Sequence, residues 1–166
     1  MNKNFNIKGF TLIELIIVIA VIALLAAATF VAVDPAKRIG QARDAQRWAD
    51  VTAIADAITQ YVADNTGTYP TSTVTNGSFY LIMASSTTGV VGFTCQNVAE
   101  EAGLGVQLDS KLIPAYLPTM PLDPAGTGTY GAVATGYYFS KNSAGRTIIG
   151  ACKESDYATA SIKVQR

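Results

Sequence analysis

Glu100–Glu101, Asp109, Glu154 and Asp156 are the close acids in the second half of the chain, and paired carboxylates are what general acid–base chemistry at neutral pH would use. No recognisable nucleophile or basic partner lies near them in the sequence. The 166 residues contain no histidine, which excludes Ser-His-Asp and Cys-His activation, the histidine-containing zinc sites and an imidazole pH switch. The stretch GTGTYG at 126–131 lacks the lysine and the spacing of a phosphate-binding loop. Tyr137–Tyr138 have the faces to stack on bases or sugars, yet aromatics in a strand are usually packing. Glu154 and Asp156, in the later turns KNSAGR and KESD, fall short of the oxygen ligands that calcium requires. The chain therefore reads as a protein that is not an enzyme and takes no cofactor and no metal. One acid stands apart from these, Glu14, set inside an apolar run.

That run, FTLIELIIVIAVIALLAAATFVAV from Phe10 to Val33, has no charge after Glu14 and a single later hydroxyl, Thr29. As a helix it would rise roughly 36 Å, enough to span a hydrocarbon core of about 30 Å with some tilt. An acid deep in the bilayer costs on the order of 2.5–3.5 kcal/mol on insertion scales, so Glu14 needs a partner. An ordinary signal anchor explains the length but not the order of residues at the start. A cleavable secretory signal would use Leu15 to Leu25 as its apolar region and Ala26-Ala27-Ala28 as its cut, but the apolar run continues past that point. A buried core helix does not fit a segment apolar on almost every face.

The residues in front supply a further reading. Met1 to Gly9, MNKNFNIKG, is short and polar with Lys3 and Lys8, and runs directly into Gly9-Phe10-Thr11-Leu12-Ile13-Glu14. This resembles the prepilin leader and processing motif of type IV pilins and of the related pseudopilins of type II secretion. The resemblance implies that a prepilin peptidase cuts after Gly9 and methylates the new amino terminus at Phe10, with Glu14 as the family's acid at the fifth position. It also implies a homo-oligomeric filament of parallel N-terminal helices, built by pilus or secretion machinery from a single-pass precursor in the cytoplasmic membrane. The head would lie outside the cytoplasm, later on a surface pilus or a periplasmic pseudopilus. The chemistry agrees: a cut after Gly9 leaves an amine one helical turn from Glu14, and in a staggered bundle one copy's carboxylate could neutralise its neighbour's amine. Gly9 has no side chain to hold a protease away, so bulkier residues there are expected to block processing. Lys37, Arg38, Arg43 and Arg47 follow the span, and by the positive-inside rule they favour the reverse orientation to the one the motif implies.

The chain is expected to divide into a leader at 1–9, a membrane and filament-core helix at 10–33, an amphipathic second half of that helix at 34–65, and a head at 66–166. Asp34-Pro35 is a helix-start pair, Asp as cap and Pro at the first position, so the helix restarts or kinks at Pro35. Beyond it Trp48, Val51, Ala55, Ile58 and Val62 step by three and four, widened by Ile54 and Tyr61, and this stripe should pack on the head. Arg43 and Arg47 either pair between subunits or form an exposed network with Asp44 and Asp50, and the network is the preferred reading.

In the head, Thr/Ser/Gly-rich stretches surround a short apolar run at 79–84, read as loop and weak strand. Asn76-Gly77-Ser78 fits a glycosylation acceptor but is more simply a tight turn. Residues 109–118 suggest one or two helical turns. Pro121-Leu122-Asp123-Pro124, followed by a Gly-rich stretch and Tyr130, is similar to the loop preceding the sheet in major pseudopilins and in some pilins, a weaker resemblance than that of the leader. Three antiparallel strands follow, Tyr137 to Ser140, Arg146 to Cys152 and Tyr157 to Val164, the last alternating cleanly. The fold class is thus α+β, a long N-terminal helix against a small antiparallel sheet. Cys95 and Cys152 are the only cysteines; an extracytoplasmic head would let them pair, and two free buried thiols are the alternative.

Equal counts of basic and acidic residues, 12 of each, argue against a nucleic-acid partner. The functional expectation is a structural subunit of a type IV pilus-like filament serving adhesion, motility or secretion, with a type II secretion pseudopilin as the alternative. A membrane-tethered or secreted ligand-binding module is the alternative of another class.

Overall fold

The computed structural model describes residues 9–71, 74–84, 95, 98, 105–125 and 134–166. Residues 1–8 of the leader, Glu100–Glu101 and the stretch at 126–133, Tyr130 included, lie outside the described residues, as does most of the Thr/Ser run after residue 84. The chain divides after Arg38 into two compact units.

The first unit is built on α1, Leu12–Val33, a 22-residue helix with no buried residue. It ends at Asp34, which takes a left-handed conformation (φ 45°, ψ 79°). A second helix, α2, begins at once with Pro35 and runs to Asp64. The Asp34 carboxylate accepts the Lys37 N–H at 3.3 Å and its carbonyl accepts the Arg38 N–H at 3.2 Å. Asp34 thus acts as a cap, and proline is at home in the next position because its missing N–H is one the helix start would leave unpaired.

The second unit is α2 from Ile39 onward and a five-stranded sheet. The strands are β1 (Phe79–Met83), β2 (Gly105–Gln107), β3 (Ala134–Lys141), β4 (Thr147–Ala151) and β5 (Lys163–Gln165), in spatial order β2-β1-β3-β4-β5. The sheet is mixed: β2 runs parallel to β1, and the other pairings are antiparallel. This corrects the expectation of a purely antiparallel sheet. A parallel pair needs a crossover, which here is the segment between β1 and β2. A single turn of helix, α3 (Asp109–Leu112), follows β2, and the peptide between Ile113 and Pro114 is cis.

Alternation along the strands divides the core in two. Tyr80, Ile82, Tyr137, Phe139, Ile149 and Ala151 pack with Val51, Ile54, Ala55 and Ile58 of α2. Leu81, Met83, Ala134, Tyr138 and Cys152 form a second cluster, against which Cys95 and Val98 pack. Cys95 is disulfide-bonded to Cys152, so the crossover is covalently held to the end of β4. Tyr138 stands opposite Gly150, where an added Cβ would lie 2.5 Å from the phenol oxygen; only glycine leaves the ring room.

Two further expectations change. Trp48 is 43% exposed, while Arg47 is buried, so the inward face of α2 is turned toward Arg47, Val51, Ile54 and Ile58. The last strand shrinks from Tyr157–Val164 to Lys163–Gln165 because the chain before it is drawn to α2. There the Ser155 hydroxyl and N–H both donate to Asp44, the N–H at 3.0 Å. Tyr157 also lies so close to Gly40 that a Cβ there would meet its ring at 3.0 Å.

Candidate functional site

The residues singled out for processing sit together at the start of α1. Gly9 and Phe10 precede the helix and are exposed, Phe10 at 81%. Thr11 is extended (φ −83°, ψ 154°), and its hydroxyl oxygen accepts the Glu14 N–H at 3.3 Å. Its carbonyl accepts the Leu15 N–H at 3.3 Å, the first turn of the helix. Thr11 is therefore the N-cap and Glu14 the third residue of the helix, the Thr-x-x-Glu spacing of a capping box. That spacing was on view in the sequence, and it gives Thr11 a part that its place in the motif alone did not. Among the described residues a Cβ on Gly9 would meet nothing within 4 Å.

Downstream, α1 is long and apolar enough to cross a membrane, with large apolar residues exposed all round, among them Ile16, Ile19, Ile22 and Leu25. A helix hydrophobic on every face is stable only in lipid or among other apolar helices. Glu14 is the one acid in its first turn.

Residues 4–30 match the family model described as the prokaryotic N-terminal methylation motif. The chain carries the type IV pilin and pseudopilin signature. No curated protein and no solved structure matches the chain. The match covers the pilin-like segment from the leader through most of α1, so the head is read from its own residues.

In the head the sequence missed a buried polar centre. Arg47, only 3% exposed, donates from Nε to Asp123 Oδ2 at 2.7 Å and from Nη2 to Asp123 Oδ1 at 2.9 Å, a two-pronged pair. Its Nη1 reaches Asp44 Oδ1 at 2.8 Å. Asp50, the other acid expected beside Arg47, instead accepts the Tyr137 hydroxyl at 2.6 Å. This corrects the exposed-network reading: Arg47 is a core residue whose main partner lies 76 positions away in the Pro121–Pro124 loop. The loop is held in place by the sheet. At a bulge in β3 that includes Gly136 (φ 85°), the Thr135 carbonyl accepts the Asp123 N–H at 2.8 Å, and the Thr135 hydroxyl donates to the Ile82 carbonyl at 2.7 Å.

The charges in this centre are mutually satisfied. The bonds to Asp123 outweigh burial and hold the Arg47 guanidinium protonated well above its ordinary range. Burial pushes the Asp44 carboxyl up, but the Ser155 and Arg47 hydrogen bonds outweigh it and leave the group below its ordinary value. Burial raises Asp50, partly offset by the Tyr137 hydroxyl, and burial with the Asp50 contact raises Tyr137. Such an arrangement ties α2 to the sheet and offers no free base or nucleophile. Among the described residues no group of three His, Cys, Asp or Glu could hold a metal. A groove of about 380 Å³ between α2 and the 157–162 segment, lined by Gln41, Trp48 and Tyr157 among others, shows no convergent polar set that defines a ligand.

Proposed function

We propose that the chain is a structural subunit of a type IV pilus-like filament, cut by prepilin peptidase between Gly9 and Phe10 and methylated on the Phe10 amine. The subunit polymerises through parallel copies of α1, and Glu14 of one copy neutralises the new amine of its neighbour in the apolar filament core. The observation that carries this reading is the methylation motif at 4–30 set on a helix with no buried residue. Such a helix requires lipid before assembly and other copies after it. A filament of this kind serves surface adhesion or motility. The Pro121–Pro124 loop, similar to that of major pseudopilins, favours a second reading as a secretion pseudopilus subunit. Removal of Lys3 and Lys8 with the leader leaves 10 basic against 12 acidic residues, which gives no support to DNA binding by the bulk surface.

The test is mass spectrometry of the N-terminal peptide from material sheared off native cells and from their membranes. Methylated Phe10 at the N-terminus of sheared material is expected for a surface pilus. The same terminus confined to the membrane fraction supports the pseudopilus. A start at Met1 in both fractions points to a plain anchor and a start at Thr29 to a secreted domain; either overturns the proposal.

A further inference from the structure

We propose that Thr11 is a positioning residue for the cut after Gly9: by capping α1 it fixes the first helical residue at Leu12 and holds the Gly9–Phe10 peptide outside the helix. The inference rests on the processing reading above.

Little else in this segment decides where the helix starts. From Phe10 to Val33 nearly every residue is apolar and compatible with a helix, and Gly9 is itself an acceptable N-cap. What marks the boundary is one side-chain acceptor, the Thr11 hydroxyl oxygen on the Glu14 N–H, together with the extended backbone of Thr11. The start of α2 is marked by the same device, the Asp34 carboxylate on the Lys37 N–H, so side-chain caps set both helix starts. If the Thr11 acceptor is lost, the nearest upstream residue able to cap is Gly9. Phe10 would then become the first helical residue, and the peptide to be cut would become the entry to the helix. Proteases work on exposed chain outside regular structure, so a helix reaching into the scissile bond must first be unwound.

The test compares the full-length chain with Thr11→Val and Thr11→Ser in detergent micelles, with prepilin peptidase added. Valine keeps the branched shape and removes the acceptor; serine keeps the acceptor and removes the methyl. Cleavage rates are read beside hydrogen exchange at the Ile13 amide, which gains a helical acceptor, the Gly9 carbonyl, only when the helix reaches Phe10. The expected result is about fivefold slower cleavage of Thr11→Val, the effect of losing a typical cap, with the Ile13 amide newly protected. Thr11→Ser should restore both the rate and the fast exchange at Ile13. Wild-type rates for Thr11→Val overturn the inference, as does a Thr11→Ser variant that is as slow as Thr11→Val while its Ile13 amide still exchanges fast. Both outcomes leave the processing reading intact. Failure of the wild-type chain to be cut after Gly9 overturns that reading and the inference together.

Discussion

The two long helices meet at Asp34 and are opposites in what they need. In α1 none of the 22 residues is buried, and the apolar side chains face every direction. In α2 one face is buried against the sheet, and its buried members include Arg47, Val51, Ile54 and Ile58. On the proposed reading the partners of α1 are lipid and further copies, whereas those of α2 are remote parts of its own chain. Interactions of α1 should therefore respond to substitution through assembly, and those of α2 through stability.

The largest expected effect lies in α1. Glu14→Ala should leave cleavage after Gly9 and the melting of the head unchanged, while filament yield falls at least tenfold, because the amine of Phe10 would enter an apolar core without its counter-charge. Sheared-filament yield and the N-terminal mass read the two effects separately. Normal filaments from this variant would sink the pairing of Glu14 with the amine and erase the contrast between the helices.

In α2 the counterpart is Arg47→Ala. It leaves Asp123 buried without its cation, and breaking a buried pair from one side costs about 3–5 kcal/mol. Chemical denaturation of the purified chain should show that loss, with cleavage after Gly9 unaffected. A loss below about 1 kcal/mol would mean that the carboxylate regains water when the arginine is removed.

The same contrast explains what the sequence disclosed. Gly9, Phe10 and Glu14 are recognisable because the roles proposed for them depend on local order alone: an exposed peptide, a helix start and a charge one turn inside. The stripe at Val51, Ala55 and Ile58 was legible from its helical period, and the β3–β4 pair from the turn between them, where Gly145 takes φ 80°. Trp48 was misplaced because a buried arginine shifts the inward face in a way no apolar count records. Asp123 looked like part of a loop motif; its role depends on Arg47 and on the bulge at Thr135, both distant in sequence. The three-residue β2 has too short a period to read, and its parallel pairing depends on a long crossover. The alternation from Tyr157 to Val164 was genuine, but Asp44 and Gly40 draw the chain away from the sheet before strand pairing can begin.

A pH titration sharpens the comparison within α2, because Asp44 and Asp50 respond with opposite signs. The folded-state value of Asp44 lies below the ordinary 3.8, so the stability it contributes is complete above that value and is lost as the pH falls through the lower folded one. Asp50 lies above 3.8, so its ionisation costs stability as the pH rises from there through the raised value. Asp44→Asn should flatten the acid-side loss of stability below about pH 4 relative to wild type. Asp50→Asn keeps an oxygen to accept the Tyr137 hydroxyl and should remove the penalty, leaving stability at neutral pH equal or slightly higher. Denaturation midpoints measured across the acid range test both signs, and parallel wild-type and Asp44→Asn curves would show that Asp44 does not titrate with unfolding.

The smallest effect should come from a second long-range ion pair of α2, Arg166 to Asp56 at 2.7 Å, whose side chains are 46% and 59% exposed. By distance alone it equals the Arg47–Asp123 contact, and both join α2 to residues far along the chain. They differ in water. An exposed pair is screened by solvent and salt, and fixing two mobile side chains offsets much of the attraction, so Asp56→Ala should cost no more than about 1 kcal/mol. The end of the chain keeps its place without this pair, because Arg166 also exchanges two backbone hydrogen bonds with Thr147, at 3.0 and 2.9 Å. Denaturation of Asp56→Ala beside Arg47→Ala, at low and at high salt, should give a small loss that vanishes with salt in the first and a large one that persists in the second. Equal losses would mean that burial does not separate the two pairs, and the stability of α2 would then rest on its apolar face alone.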